Sequence, residues 1–263
     1  MVASLALGLG LVAPVARADG ADGQWSERRS SHFVLLQDVG IDERGGFRGS
    51  VRFERELLEV LEGAHDRLHE LLGLRTTRAI QVMVYDPAIF DATFAGLFRF
   101  PAAGFYHGVV RVRGDVQVTA ALVRVLHHEL VHAAFDALAP SLVVPGWFNE
   151  GVAEWFEARA VGKRGLSAGE RAALQHAARE GRLSGLFELS PPSFAVLGAE
   201  AAGLAYLQSY AMIDYLARQR GERRLRDLVG GTIRERTLGS TFRRIYRFDL
   251  VELPPRFAAE LGG

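Results

Sequence analysis

Apolar and polar positions along this chain alternate first with the period of strands and then mostly with the period of helices. His32-Phe33-Val34-Leu35-Leu36 reads as a short strand, followed by a Gly-rich turn around Gly45-Gly46. From about Phe53 to Leu72 the apolar residues Leu57, Leu61, Ala64, Leu68 and Leu71 recur at helical spacing, and Gly73 is placed to end that helix. Ile80-Gln81-Val82-Met83-Val84-Tyr85 alternates as a strand, with Asp86-Pro87 as its turn. An aromatic-rich loop (Phe90, Phe94, Phe98, Phe100) leads to a further strand at Gly108-Val109-Val110-Arg111-Val112-Arg113. From Thr119 to Leu138 the pattern is helical and apolar on most sides, which predicts a buried helix with Thr119 as its N-cap. A loop from Pro140 to Pro145 precedes a helix from about Trp147 to Ala158. Ser167-Ala168-Gly169-Glu170 is a capping box that opens a helix ending near Gly181. Another helix runs from about Ala201 to Gln219 and stops at Gly221. The order predicts an α+β fold: an α+β lobe over residues 19–140, then a mostly helical lobe over 141–263.

Composition changes this picture little and narrows the function more. The 263 residues are 49% apolar and 24% charged, an ordinary globular balance. Lys+Arg and Asp+Glu are equal at 31 each, so no net field draws in nucleic acid or an anionic membrane. The arginine run Arg218, Arg220, Arg223, Arg224 and Arg226 reads as a solvated face. The chain has no cysteine, which excludes disulfides, thiolate metal ligands and a cysteine nucleophile. Val2 to Val15 is small and apolar, and Ala16-Arg17-Ala18 supplies an A-x-A cleavage pattern. Residues 1–18 are therefore expected to be a signal peptide cleaved after Ala18. That implies a secreted or periplasmic (cell-envelope) protein with no stable membrane span after cleavage. The oligomeric state is left open.

The chemistry is carried by His128-Glu129-Leu130-Val131-His132, an H-E-x-x-H pattern inside the helix expected to be buried. Residues four apart share a helix face, so both imidazoles can reach one zinc ion. Glu129 sits beside them, where it can act as a general base toward a water activated by the metal. A catalytic zinc ordinarily has three protein ligands. Downstream, Gly146-Trp147-Phe148-Asn149-Glu150-Gly151-Val152-Ala153-Glu154-Trp155 offers Glu150 as the third, and Glu154 could hydrogen-bond the far nitrogen of a ligand histidine.

H-E-x-x-H followed by N-E-G-x-A-E resembles the gluzincins, the thermolysin and aminopeptidase N branch of zinc peptidases within the peptidase MA-like group. The resemblance implies a zincin-like catalytic domain over residues 19–263 that binds one Zn2+ ion and acts on peptide or protein substrates. It implies that His128, His132 and Glu150 bind the metal, that Glu129 is the general base and that Glu154 orients His128. Ala103-Gly104-Phe105-Tyr106-His107-Gly108 and the strand after it resemble the family segment whose edge strand binds the substrate backbone, which makes Gly108, Val109 and Val110 candidate substrate contacts. Tyr206, fifteen residues before Gly221, resembles the tyrosine that donates to the oxyanion in aminopeptidase N. Tyr210, one turn on, is the alternative, and a competing reading makes both core aromatics. No G-x-M-E-N motif holds a substrate amino terminus, which tilts the expectation to endopeptidase over aminopeptidase. The third histidine of metzincins is also missing.

Other histidines read differently. His65 and His69 are four apart but have no N-E-x-x-x-E at suitable distance downstream, and they read as a solvated or hydrogen-bonded pair at the border of the apolar stripe. His127 lies about 140° round the helix from His132 and points away from the metal. Two other classes compete with the peptidase reading: a catalytically inactive zincin-like module for binding or assembly in the cell envelope, and a structural zinc protein.

Overall fold

The computed structural model describes residues 25–38, 49–99 and 101–262; the expected signal peptide, the turn at Gly45-Gly46 and Phe100 lie outside the described residues. The first half comprises β1 (Trp25–Arg29), β2 (Phe33–Asp38), α1 (Gly49–Leu72), β3 (Ile80–Tyr85), α2 (Pro87–Thr93), β4 (Gly104–Tyr106) and β5 (Val110–Arg113). The two helices that matter most follow, α3 (Ala120–Leu138) and α4 (Gly146–Ala160). The remainder is helical: α5 (Ala168–Arg179), α6 (Ala199–Arg220), α7 (Glu222–Glu235), α8 (Leu238–Tyr246), a 3-10 turn at Leu250–Glu252 and α9 (Leu253–Gly262). The α+β class with a helical second half is what the apolar rhythm predicted. No helix among the described residues is long and apolar enough to cross a membrane.

The sheet order is β1-β2-β3-β5-β4. β2, β3 and β5 run parallel, while β1 and β4 are antiparallel edges. Successive side chains point to opposite faces, and the register sorts them cleanly. Val82 pairs with Val110, which pairs with Tyr106, on the face that packs under α1 and α3. Met83, Arg111 and Phe105 align on the other face, where the Arg111 guanidinium lies 5.8 Å from the Phe105 ring centre. Tyr85, Phe90 and Phe105 form a small aromatic cluster on that side.

Three features depart from the expected elements. Asp86-Pro87 opens a helix rather than only a turn: the Asp86 carboxylate accepts from Ala88 N (2.8 Å) and Ile89 N (3.4 Å), and proline suits the first helical position. The strand expected at 108–113 begins at Val110, because Gly108 (φ +69°) turns the chain in a tight hairpin from β4 to β5. β1 was not anticipated, since WSERR has no apolar alternation. Its place at the edge is secured by Arg28 and Ser26, which bond Glu54 of α1.

α4 is buried for most of its length, with Trp147, Phe148, Val152, Ala153 and Trp155 fully inaccessible, and it packs against both α3 and α6. Two glycines allow this. A Cβ on Gly151 would stand 2.6 Å from the Ser209 carbonyl oxygen of α6, and one on Gly146 would stand 2.2 Å from the Pro191 carbonyl oxygen. Pro145 gives α4 no side-chain cap. The 189–190 backbone caps it instead, with Trp147 N donating to Leu189 O (2.8 Å) and Gly146 N to Ser190 O (3.2 Å).

Candidate metal centre

One turn of α3 separates His128 from His132, so both rings leave the same face, where α4 lies against them. Each is nearly inaccessible, at 1% and 3% exposure. Their Nε2 atoms converge on one oxygen: Glu150 Oε2 is 3.3 Å from His128 Nε2 and 3.5 Å from His132 Nε2. The far nitrogens are tethered by α4 as well. His128 Nδ1 faces Glu157 Oε2 at 3.2 Å, and His132 Nδ1 faces Asn149 Oδ1 at 3.0 Å. Tethering Nδ1 fixes ring orientation and turns Nε2 toward Glu150.

The arrangement fits a zinc ion. Bonds of about 2.0–2.2 Å in a tetrahedral set place donor atoms about 3.3–3.6 Å apart, which brackets both separations to Glu150. His132 Nε2 and Glu150 Oε1 are buried with no hydrogen-bond partner, as are both oxygens of Glu129. Such groups are costly to bury unless something binds them. His128, His132 and Glu150 each offer one donor atom within 4.8 Å of the others. Burial alone would depress the His128 pKa, but bonds to Glu150 and Glu157 and the charge of Glu154 outweigh it and hold the ring up at about 10. The pocket is thus tuned to favour a positive charge. Burial raises the Glu129 carboxyl to about 7, with His128 and His132 offsetting part of that rise.

The bond expected from Glu154 to His128 is made by Glu157 instead. Glu154 Oε1 stands 3.9 Å from His128 Nδ1, beyond hydrogen-bond range, whereas Glu157 Oε2 stands at 3.2 Å. Burial works to raise the Glu157 carboxyl, but His128 and Arg124 more than reverse this and keep it ionised; Arg124 Nε donates to Glu157 Oε1 at 3.0 Å. Burial and the charge of Glu157 hold Glu154 above the usual carboxylate range. Glu157 was missed from sequence, although it lies seven residues after Glu150 and so two turns along the same face. Asn149 was quoted in the motif without a role.

His127 turns away, with Nδ1 on Val123 O at 2.8 Å and its ring against Phe156. Tyr206 packs its ring edge-on against Phe194 at 5.2 Å. Tyr210 lies elsewhere, under the Lys163 ammonium at 4.3 Å, and burial followed by Asp214 raises its pKa. The edge strand does not fall at Gly108–Val110 as expected. Val110 pairs on both sides in the interior of the sheet, Gly108 and Val109 sit in the hairpin turn, and the edge is Gly104–Tyr106. β4 sits close on α3 because Gly104 has no side chain; a Cβ there would stand 2.5 Å from Val125 Cγ1.

Beside His132 opens a cleft of about 300 Å³, walled by Tyr106 and Gly108 of the hairpin, Phe135 and Asp136 of α3, and Leu142 and Val144 of the following loop. Tyr106 and Asp136 were not singled out from sequence. Their link, Tyr106 Oη to Asp136 Oδ2 at 2.6 Å, crosses from sheet to helix and has no local signal. The sequence model of the Peptidase MA superfamily matches residues 62–262, well over half the chain. The match is to the superfamily as a whole, not to its thermolysin and aminopeptidase N branch. No curated protein matches this chain.

Proposed function

The chain belongs to the Peptidase MA superfamily, and on that premise we propose that it is a zinc-dependent endopeptidase with one ion held by His128, His132 and Glu150. The convergence of two tethered Nε2 atoms on Glu150 Oε2, at 3.3 and 3.5 Å, is the observation that supports this most directly. A zinc ion held there supplies Lewis acidity toward a water and toward a peptide carbonyl.

Glu129, buried against the two histidines, takes a proton from the attacking water and hands it to the departing amine. Glu157 and Asn149 keep the imidazoles from rotating. Tyr206 is the preferred donor to the oxyanion over Tyr210, because Tyr210 is enclosed by Lys163 and Asp214 toward the far end of α4. The outer edge of β4 offers backbone groups to which an extended peptide can add as a strand. Endopeptidase action is preferred because the sequence carries no G-x-M-E-N motif. Residues 1–18 are proposed to direct the protein to the cell envelope or exterior, so the mature chain should begin at Asp19.

The test is metal analysis joined to a peptidase assay. One zinc per chain is expected, with activity lost to a chelator and restored by zinc. Glu129→Gln should retain zinc while kcat falls by about 10²–10⁴. A zinc-loaded protein that cleaves nothing in a diverse peptide library would overturn the enzymatic reading in favour of an inactive binding module. The intact, buried Glu129 argues against that module. Unchanged zinc content in Glu150→Ala would sink the ligand set.

A further inference from the structure

Within the cleft beside His132, one charged group is left without a counter-charge. Asp136 follows His132 by one helical turn and therefore projects from the same face of α3 into the cleft. Several other carboxylates of this chain are met by cations: Glu157 by Arg124, Asp214 by Arg159 and Arg218, Glu54 by Arg28. Among the described residues, no Lys, Arg or His nitrogen lies within ion-pair distance of Asp136. Its bond is from a neutral donor: the Tyr106 hydroxyl, 2.6 Å from Oδ2, fixes how the carboxylate is turned. Burial and Asp136 itself raise the Tyr106 pKa, so that hydroxyl keeps its proton and goes on donating.

An apolar stretch of the wall is built by Phe135, Ala139, Leu142 and Val144, with Phe135, Ala139 and Val144 themselves buried, while His107, Ser141 and Asn149 add polar groups. The volume, about 300 Å³, is at the small end for ligand pockets and suits one long side chain more than an extended ligand. A cavity with an aliphatic or aromatic shaft and an oriented carboxylate complements a side chain with a methylene stem and a cationic head. Ser141 helps hold this shape, adopting φ +65° in the loop that forms the wall.

We propose that this cleft is a specificity pocket for a lysine or arginine side chain of the peptide substrate, with Asp136 receiving the cation and Tyr106 orienting Asp136. The proposal rests on the peptidase reading and names the substrate class for that site. The stem lies along Phe135 and Val144, and the head makes a charge-assisted bond to Asp136. Acidic residues are excluded from the same position by like charge.

The experiment uses zinc-loaded protein and N-acetylated peptides that differ in one residue beside the scissile bond: arginine, lysine, citrulline, norleucine or glutamate. Arginine or lysine is expected to exceed citrulline and norleucine in kcat/KM by about ten- to hundredfold, the range of a bond to a charged group. In Asp136→Asn, an isosteric change on an exposed position, the ratio of arginine to norleucine should collapse toward one. Tyr106→Phe should lower the ratio part of the way. Equal cleavage of arginine and norleucine peptides, or a ratio unchanged in Asp136→Asn, overturns the proposal. So does cleavage that requires removal of the acetyl cap regardless of side chain, because Asp136 would then be holding an amino terminus. Equilibrium binding of the same peptides to Glu129→Gln separates this idea from the reading beneath it. An arginine preference in binding without turnover by the unmodified protein would defeat the peptidase reading alone. Turnover without the preference would defeat the pocket alone.

Discussion

His128 and His132 differ in what holds their far nitrogens: a charged carboxylate, Glu157, for one and a neutral amide, Asn149, for the other. Glu157→Gln should therefore weaken zinc affinity by about 10–100-fold, and Glu154→Gln by clearly less, in competition with a chelator of known affinity. Equal losses would show that Glu154 shares the role after all. Spacing alone made Glu150, Glu154 and Glu157 alike, since each follows the last by four or three residues on one helical face. Only the rotation of α4 against α3 decides among them, and that is a tertiary fact. The pairing of His128 with His132 was legible because H-E-x-x-H encodes its geometry within one helix. His65 is a second residue whose setting is deeper than its sequence position suggested. It is buried, stacked on His32 with ring centres 3.9 Å apart, and bonded through Nε2 to Thr76 Oγ1 at 3.2 Å. Burial first, then His32, lowers its pKa below 6.5, while Glu62 and Asp66 pull weakly the other way. The unfolded chain then takes up a proton near pH 6.5 that the folded protein refuses, so this contribution to stability is whole above that pH and lost below it. The thermal midpoint should drop between pH 7 and pH 5 less steeply in His65→Gln than in the unmodified protein; parallel curves would refute this.

α4 is the element on which the site depends most, since it supplies Glu150, Asn149 and Glu157 and is located by two glycines. Gly151→Ala drives a Cβ to 2.6 Å from the Ser209 carbonyl oxygen, a backbone atom that cannot swing aside. A loss of about 1–3 kcal/mol is expected in denaturant unfolding. Gly146→Ala, at 2.2 Å from the Pro191 carbonyl oxygen, should cost at least as much and also lower zinc occupancy, because it displaces the turn that carries Asn149 and Glu150. Gly169→Ala is the control, with nothing within 4 Å of the new methyl group; it should be neutral or mildly stabilising. Comparable losses at all three positions would remove the packing explanation. Helices were the best-read elements of the sequence: α3, α4, α5 and α6 fall within two residues of their apolar or capping signals at nearly every end. The misreadings have physical causes. Asp86-Pro87 is a turn signal and a helix-start signal at once, and only the chain beyond it chooses. The β4–β5 hairpin hides in the run 104–113 because its turn glycine, Gly108, looks like the start of a strand. β1 carries no apolar alternation, being an edge held to Glu54 of α1 by the Arg28 ion pair and the Ser26 hydroxyl.

At the scale of the molecule, α3 belongs to the sheet by its packing on β4 and β5, while α4 belongs to the helical half through α6. The proposed ion sits where these two bodies of structure meet, so its removal should be felt well beyond its ligands. With zinc at about a thousand times its dissociation constant, chelation forfeits about 4 kcal/mol, roughly ten degrees of thermal midpoint for a chain of this size. Differential scanning calorimetry with and without chelator checks this, and a midpoint indifferent to zinc would count against the site. The α+β class, the helical second half and the grouping of His128, His132 and Glu150 could all be anticipated from the chain alone. The cleft could not, because its walls come from a hairpin, a helix and a loop that only the finished fold brings together. The loop has a further consequence. Seventeen residues lie between His132 and Glu150, and they include Ala139 to Val144, part of the wall of that cleft. In chain-statistical terms the ion closes this stretch into a ring and removes the entropy of its open forms. Pocket shape and metal retention then become two expressions of one equilibrium, so that a peptide seated in the cleft tightens the hold on zinc by the same factor by which zinc tightens the hold on the peptide.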